Sequence, residues 1–180
     1  TAEAISLAGV LSPGLSAAGY SRVMGNHAKE GIPWATFTGL WAVELAAGGF
    51  TGPVDILDHP DYYDAAKIKS GLGESFSVDK VYFKPYGCCR WIHCALESLG
   101  TLLHENNLRP ADIVSIEVHT FDRALRLNNY PDPDNLESAQ YSIPFCLAVD
   151  AVEGRGALLP LRISVLHKPD VVALAERVSL

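Results

Sequence analysis

The chain has 180 residues, a hydrophobic fraction of 48% and a formal net charge of −7. Those figures predict a protein with a real apolar core, built as one domain or as parts of two. The acidic balance argues against nucleic acid and anionic membranes as partners, and no uninterrupted apolar run reaches the ~18 residues that a membrane span needs.

The first seventy or so residues read as helical. Residues 2–11 are small and apolar, and 15–24 continue with glycine and alanine. Residues 33–49 are a strong helix candidate, with Pro33 at a tolerated early position and Gly48-Gly49 as the stop. Trp34, Phe37, Trp41 and Leu45 fall at helical spacing, and the two tryptophans read as core or as a dimer interface. Gly39, Ala42, Ala46 and Ala47 are small enough for close helix packing. Phe50-Thr51-Gly52-Pro53 is a turn, followed by short helical pieces at 56–57 and 62–68.

After Gly71-Leu72-Gly73 the character changes. Residues 78–83 have strand propensity, and 89–106 read as a helix. Residues 113–121 alternate apolar and polar side chains and form the clearest strand. Residues 128–135, with Pro131 and Pro133, are a loop. Residues 139–152 read as a helix with Pro144 in its first turns and Gly154 after its end, and 170–177 as a closing helix. The fold class expected is α+β: the C-terminal part of an all-helical domain over 1–72, then a smaller α+β domain over 73–180. The chain starts without an initiator methionine or a leader signature and closes on a helix end. Both ends read as cuts through a longer protein.

The chemistry concentrates in Lys84-Pro85-Tyr86-Gly87-Cys88-Cys89-Arg90-Trp91-Ile92-His93. Pro85 and Gly87 read as a turn ahead of a helix, and free N–H groups at a helix start favour anions. Arg90, His93 and Glu97 share one helical face, while Trp91, Ala95, Leu99 and Leu102 share another and read as core. An acidic protein that binds an acidic small molecule needs such a local cationic entrance. The bland reading, a solvated lysine and an ordinary surface histidine, stands beside it.

Cys88, Cys89, Cys94 and Cys146 include no C-x-x-C pair and no spacing with matching partners for zinc or an iron–sulfur cluster. They read as reduced, mostly buried thiols of an intracellular protein, cytoplasmic or mitochondrial. A reactive thiol at Cys89 stays open as an alternative. Asp132 and Asp134 read as a solvated loop rather than a metal site.

Four stretches, in order, resemble the MmgE/PrpD family of 2-methylcitrate dehydratases and cis-aconitate decarboxylases. They are 28–35 (AKEGIPWA), 49–53 (GFTGP) with Ile56-Leu57, 83–90 (FKPYGCCR) with His93, and 138–145 (SAQYSIPF) with Ala148-Val149. The resemblance implies a large helical domain and a smaller α+β lid with the site between them, both incomplete here. It also implies missing helices of the same protein that carry an aspartate and a histidine of the site. It implies a homodimer formed through the helical domain, no metal or other cofactor, and a small polycarboxylate as ligand. Lys29, Lys84 and His93 match catalytic positions. Tyr86, Arg90, Cys89, Gln140 and Tyr141 stand where substrate-binding groups are expected, and Phe145 stands where some relatives carry a site tyrosine.

The activity so implied is a cofactor-independent lyase, most simply the dehydration of 2-methylcitrate or a related alkylcitrate. A cis-aconitate-type decarboxylase or an epimerase of the same family is the alternative, and a non-catalytic binding or assembly subunit is the alternative of another class. Residues 1–180 alone are expected to be inactive.

Overall fold

A computed structural model of the chain describes residues 1–12, 23–25 and 31–180. They separate into two compact units, one of residues 1–12 and 31–82, the other of residues 23–25 and 83–180. Together they give an α+β fold dominated by helix, with one small sheet.

In the first unit, α1 (Ala2–Leu11) packs against α2 (Ile32–Ala47). The turn that follows α2 lies directly on α1. A Cβ at position 52 would stand 2.7 Å from Ser6 Oγ and 3.1 Å from Leu7 N, so this approach requires glycine. The Gly52 N–H donates to Glu3 Oε2 at 2.8 Å, and Tyr63 Oη donates to Gly9 O at 2.7 Å. Those bonds tie both the turn and the segment before α3 (Ala65–Lys69) to α1. The buried positions of α2 are only Thr38 and Ala42. Trp34, Phe37 and Trp41 stack outside, with ring centroids 5.3 and 6.1 Å apart, and more than half of each side chain is exposed. They are not core of this unit. The helix expected over 15–24 falls almost wholly outside the described residues, and Val23–Gly25 are not helical.

The second unit is built around α7 (Ile143–Glu153), whose eight residues from Ile143 to Asp150 are all buried. A helix apolar on every side needs cover all round. α4 (His93–Glu105) and α8 (Pro169–Ala175) pack against it. α4 presents Leu96 and Leu99, Ile92 precedes them, and α8 presents Val171, Leu174 and Ala175. The core face of α4 therefore differs from the sequence expectation: Leu102 is exposed, while Trp91 and Ala95 only flank the core.

Four further expectations are corrected. Residues 78–83 form no strand: a 3-10 turn at Ser77–Lys80 is followed by chain outside any helix or strand. Strand propensity yields a strand only where a second edge is available. In the alternating stretch 113–121, only β1 (Ile116–Glu117) pairs, in parallel with β2 (Val178–Ser179). The closing helix therefore stops at Ala175 and the chain ends in a strand. The helix expected over 139–152 is two: α6 (Leu136–Gln140), then α7. Pro144 sits in the first turn of α7, where its missing N–H costs nothing. Ser142 caps that turn by accepting from Phe145 N at 3.1 Å, and the Ile143 N–H donates to Asn129 Oδ1 at 3.0 Å. A new helix start is thus better satisfied than a continuous helix would be.

Candidate functional site

The turn before α4 sets the site. Gly87 N donates to Leu158 O at 2.8 Å, and a Cβ on Gly87 would approach that carbonyl to 3.1 Å and Leu161 N to 3.2 Å. The close approach turns Tyr86 inward and delivers the chain through a 3-10 turn, Arg90–Ile92, into α4. Cys89 N donates to Gln140 O at 2.8 Å, which joins this motif to the end of α6. Two stretches that sequence reading linked only by resemblance are therefore neighbours.

His93, at the first turn of α4, is half-buried. Its imidazole stands edge-on to the Tyr86 ring, centroids 4.9 Å apart and planes at 66°. In the tautomer protonated at Nε2, the ring donates to the Cys88 carbonyl at 3.4 Å, which leaves Nδ1 as the basic atom. Burial holds its pKa below the ordinary histidine value, against a rise from the Cys88 carbonyl, and the charges of Lys84 and Arg90 push it further down. Lys84 and Arg90 are both exposed, and among the described residues no carboxylate forms an ion pair with Lys84.

Tyr86 is 6% exposed. Its hydroxyl donates to Glu97 Oε1 and accepts from Arg155 Nη1 at 3.1 Å. Arg155 follows Gly154, whose φ of 82° and ψ of 158° belong to a region essentially closed to other residues. The reversal there sends Arg155 back across α4. Its guanidinium reaches Glu97 Oε2 at 3.0 Å, Leu96 O at 2.7 Å, and Asp150 Oδ1 and Oδ2 at 3.3 and 3.2 Å. The Asp150 side chain is 5% exposed. The hydrogen bonds to Asp150, foremost, raise the Arg155 pKa. The Tyr86 hydroxyl raises in pKa by its bond to Glu97, and Glu97 is lowered by the same bond and by Arg155.

The cysteines divide by environment. Cys88 and Cys146 are buried, Cys89 is half-buried, Cys94 is exposed, and none forms a disulfide. The Cys88 sulfur and complete burial push the Cys146 thiol well up, and it donates to Ala139 O at 3.3 Å. The neighbouring Cys146 side chain, helped by Lys84 and opposed by burial, lowers Cys88.

Lys84, Tyr86, Cys89, Arg90, His93 and Gln140 thus lie in or against one turn, and Tyr141 is buried just beyond Gln140. Lys29 lies outside the described residues. Phe145 is fully buried in α7 and packs in the core. Sequence reading missed Asp150 and Arg155. The signal available was small: Asp150 is the lone charge in Ile143–Val152, and Arg155 stands between two glycines. Among the described residues, no group of three or more His, Cys, Asp or Glu side chains is placed to hold a metal ion. No helix there is long and apolar enough to cross a membrane.

Comparison with protein families finds a match to the MmgE/PrpD C-terminal domain over residues 86–180. No curated protein matches the chain.

Proposed function

This chain belongs to the MmgE/PrpD family, and from that premise we propose that it is part of a cofactor-independent lyase acting on a di- or tricarboxylate. The substrate proposed is 2-methylcitrate or a related alkylcitrate, and the reaction is dehydration. The family includes dehydratases and related enzymes and suggests a lyase-type activity; substrate and reaction are our own reading.

The observation that carries the reading is His93, held half-buried inside the matched region beside two exposed cations. Removing water from a hydroxy-polycarboxylate needs a base for a carbon-bound proton, an acid for the leaving hydroxyl, and cations for the carboxylates. His93 is kept neutral to lower pH than an ordinary histidine, which suits a base. Carboxylates arriving at Lys84 and Arg90 would offset the fields of those cations at the imidazole. His93 then becomes a stronger proton acceptor when substrate is bound. Lys29 is assigned a second carboxylate contact on resemblance alone, and helices of the same protein outside this chain complete the site.

The test is turnover by the full-length protein. 2-Methylcitrate, citrate and cis-aconitate are offered with and without a chelator, and Lys84→Ala is compared with the parent. Dehydration that resists the chelator, with KM raised in Lys84→Ala, supports the proposal. Activity abolished by chelation removes the cofactor-independent part. Conversion of none of the three removes the substrate class, and binding without conversion favours an assembly subunit.

A further inference from the structure

Tyr86 and Arg155 look at first like substrate ligands, a phenol and a guanidinium beside a cationic turn. Their hydrogen bonds argue otherwise. A guanidinium has five N–H donors, and those of Arg155 meet five acceptors within the protein: Asp150 Oδ1 from Nε, Tyr86 Oη and Glu97 Oε2 from Nη1, Leu96 O and Asp150 Oδ2 from Nη2. The Tyr86 hydroxyl donates its proton to Glu97 and accepts from Arg155. Neither side chain keeps a donor for a carboxylate. What Tyr86 still presents is its ring, and the ring stands against His93.

Two glycines make room for this. Gly154 takes the backbone conformation that reverses the chain before Arg155. Gly100 has no Cβ where one would collide with the Arg155 guanidinium. Glycine inside a helix disfavours that helix by roughly 1 kcal/mol relative to alanine, so its presence in α4 calls for a local reason, and Arg155 supplies it.

We infer that Arg155 is a positioning residue for His93: it clamps the Tyr86 hydroxyl against Glu97, and the Tyr86 ring then holds the imidazole in place at the start of α4. This rests on the reading of His93 as a proton-transfer group. Three links carry the effect, Asp150 and Leu96 O to Arg155, Arg155 and Glu97 to the phenol, and the phenol ring to the imidazole. A catalytic imidazole shifted by a fraction of an ångström loses rate rather than substrate affinity.

The experiment uses the full-length protein, with Arg155→Lys and Tyr86→Phe as variants. The charged and titratable groups facing His93 are Lys84, Arg90, Glu97 and Tyr86. Arg155→Lys leaves all four in place and keeps the net charge, but a lysine cannot fork to five acceptors. Tyr86→Phe keeps the ring and loses only the clamp on it. The readout is the pH titration of the His93 ring nitrogens by NMR, with His93→Gln identifying the signal, alongside kcat and KM. Both variants should titrate His93 closer to the ordinary histidine value, because a released ring is better hydrated. kcat should fall roughly tenfold or more while KM changes by less than about twofold. Folded variants whose His93 titrates as in the parent overturn the inference, even if their melting temperature drops. If Arg155→Lys does not fold, Tyr86→Phe decides alone. A parent protein that converts no polycarboxylate defeats the functional reading and leaves the titration to judge the clamp.

Discussion

Replacing Gly100 by alanine should destabilise the protein, against the general rule for a helix interior. In an ordinary position the change adds about 1 kcal/mol of helix stability. Here the new Cβ collides with the end of Arg155, and its built position lies 3.2 Å from Cζ. The guanidinium can move, but moving breaks its bonds to Leu96 O at 2.7 Å and to the buried Asp150 carboxylate. Hydrogen bonds to charged groups contribute roughly 1.5–3 kcal/mol each, and the values here belong at the low end because a third of the Arg155 side chain is exposed. Losing two at the low end gives about 3 kcal/mol, and subtracting the propensity gain leaves a net loss of roughly 2 kcal/mol. With Arg155→Ala already in place the collision is gone, so the same alanine should stabilise by about 1 kcal/mol. Urea unfolding followed by Trp91 fluorescence, with Trp34 and Trp41 replaced by phenylalanine, measures both legs of the cycle. Gly100→Ala stabilising by the same amount in both backgrounds would refute the account of Gly100.

Phe145→Ala, at 0% exposure in the centre of α7, should cost about 3–5 kcal/mol in the same unfolding assay, whatever it does to activity. His93 has its folded pKa below the ordinary 6.5, so the unfolded chain binds more protons in the window just under that value. Stability should therefore rise with pH through that window and level off above it, and His93→Gln should remove this component from the pH dependence of unfolding. The Trp34–Phe37–Trp41 stack exposes a contiguous apolar surface on α2. The full-length protein is expected to self-associate through it, so light scattering should report a dimer and Trp41→Glu should shift it towards monomer. A soluble monomer in the parent protein would contradict that expectation.

Local physics made much of the architecture legible in the sequence. α1 and α2 came out within a residue or two because composition, Pro33 and Gly48 all speak for themselves nearby. Spacing predicts α4 but not the face it buries. The pattern Trp91, Ala95, Leu99, Leu102 and the pattern Ile92, Leu96, Leu99 share Leu99 and are offset by one position before it, and only the packing against α7 chooses between them. Residues 78–83 carry strand propensity yet join no sheet among the described residues, while Val178–Ser179 pair with Ile116–Glu117 across more than sixty positions. The site divides in the same way. Lys84, Arg90 and His93 cluster within ten residues and could be read directly. Arg155 meets Tyr86 from 69 positions away, and no periodicity announces such a meeting. Glycine at 100, unhelpful to the helix that holds it, and the positive-φ Gly154 just ahead of Arg155 were the marks it left.

The most direct measurement is proton NMR of the full-length protein incubated with 2-methylcitrate in heavy water. The account predicts loss of the substrate's carbon-bound proton, a new alkene with all three carboxylates retained, and a rate that collapses in His93→Gln. Loss of a carboxylate, deuterium exchange without an alkene, or an unchanged rate in His93→Gln would contradict it.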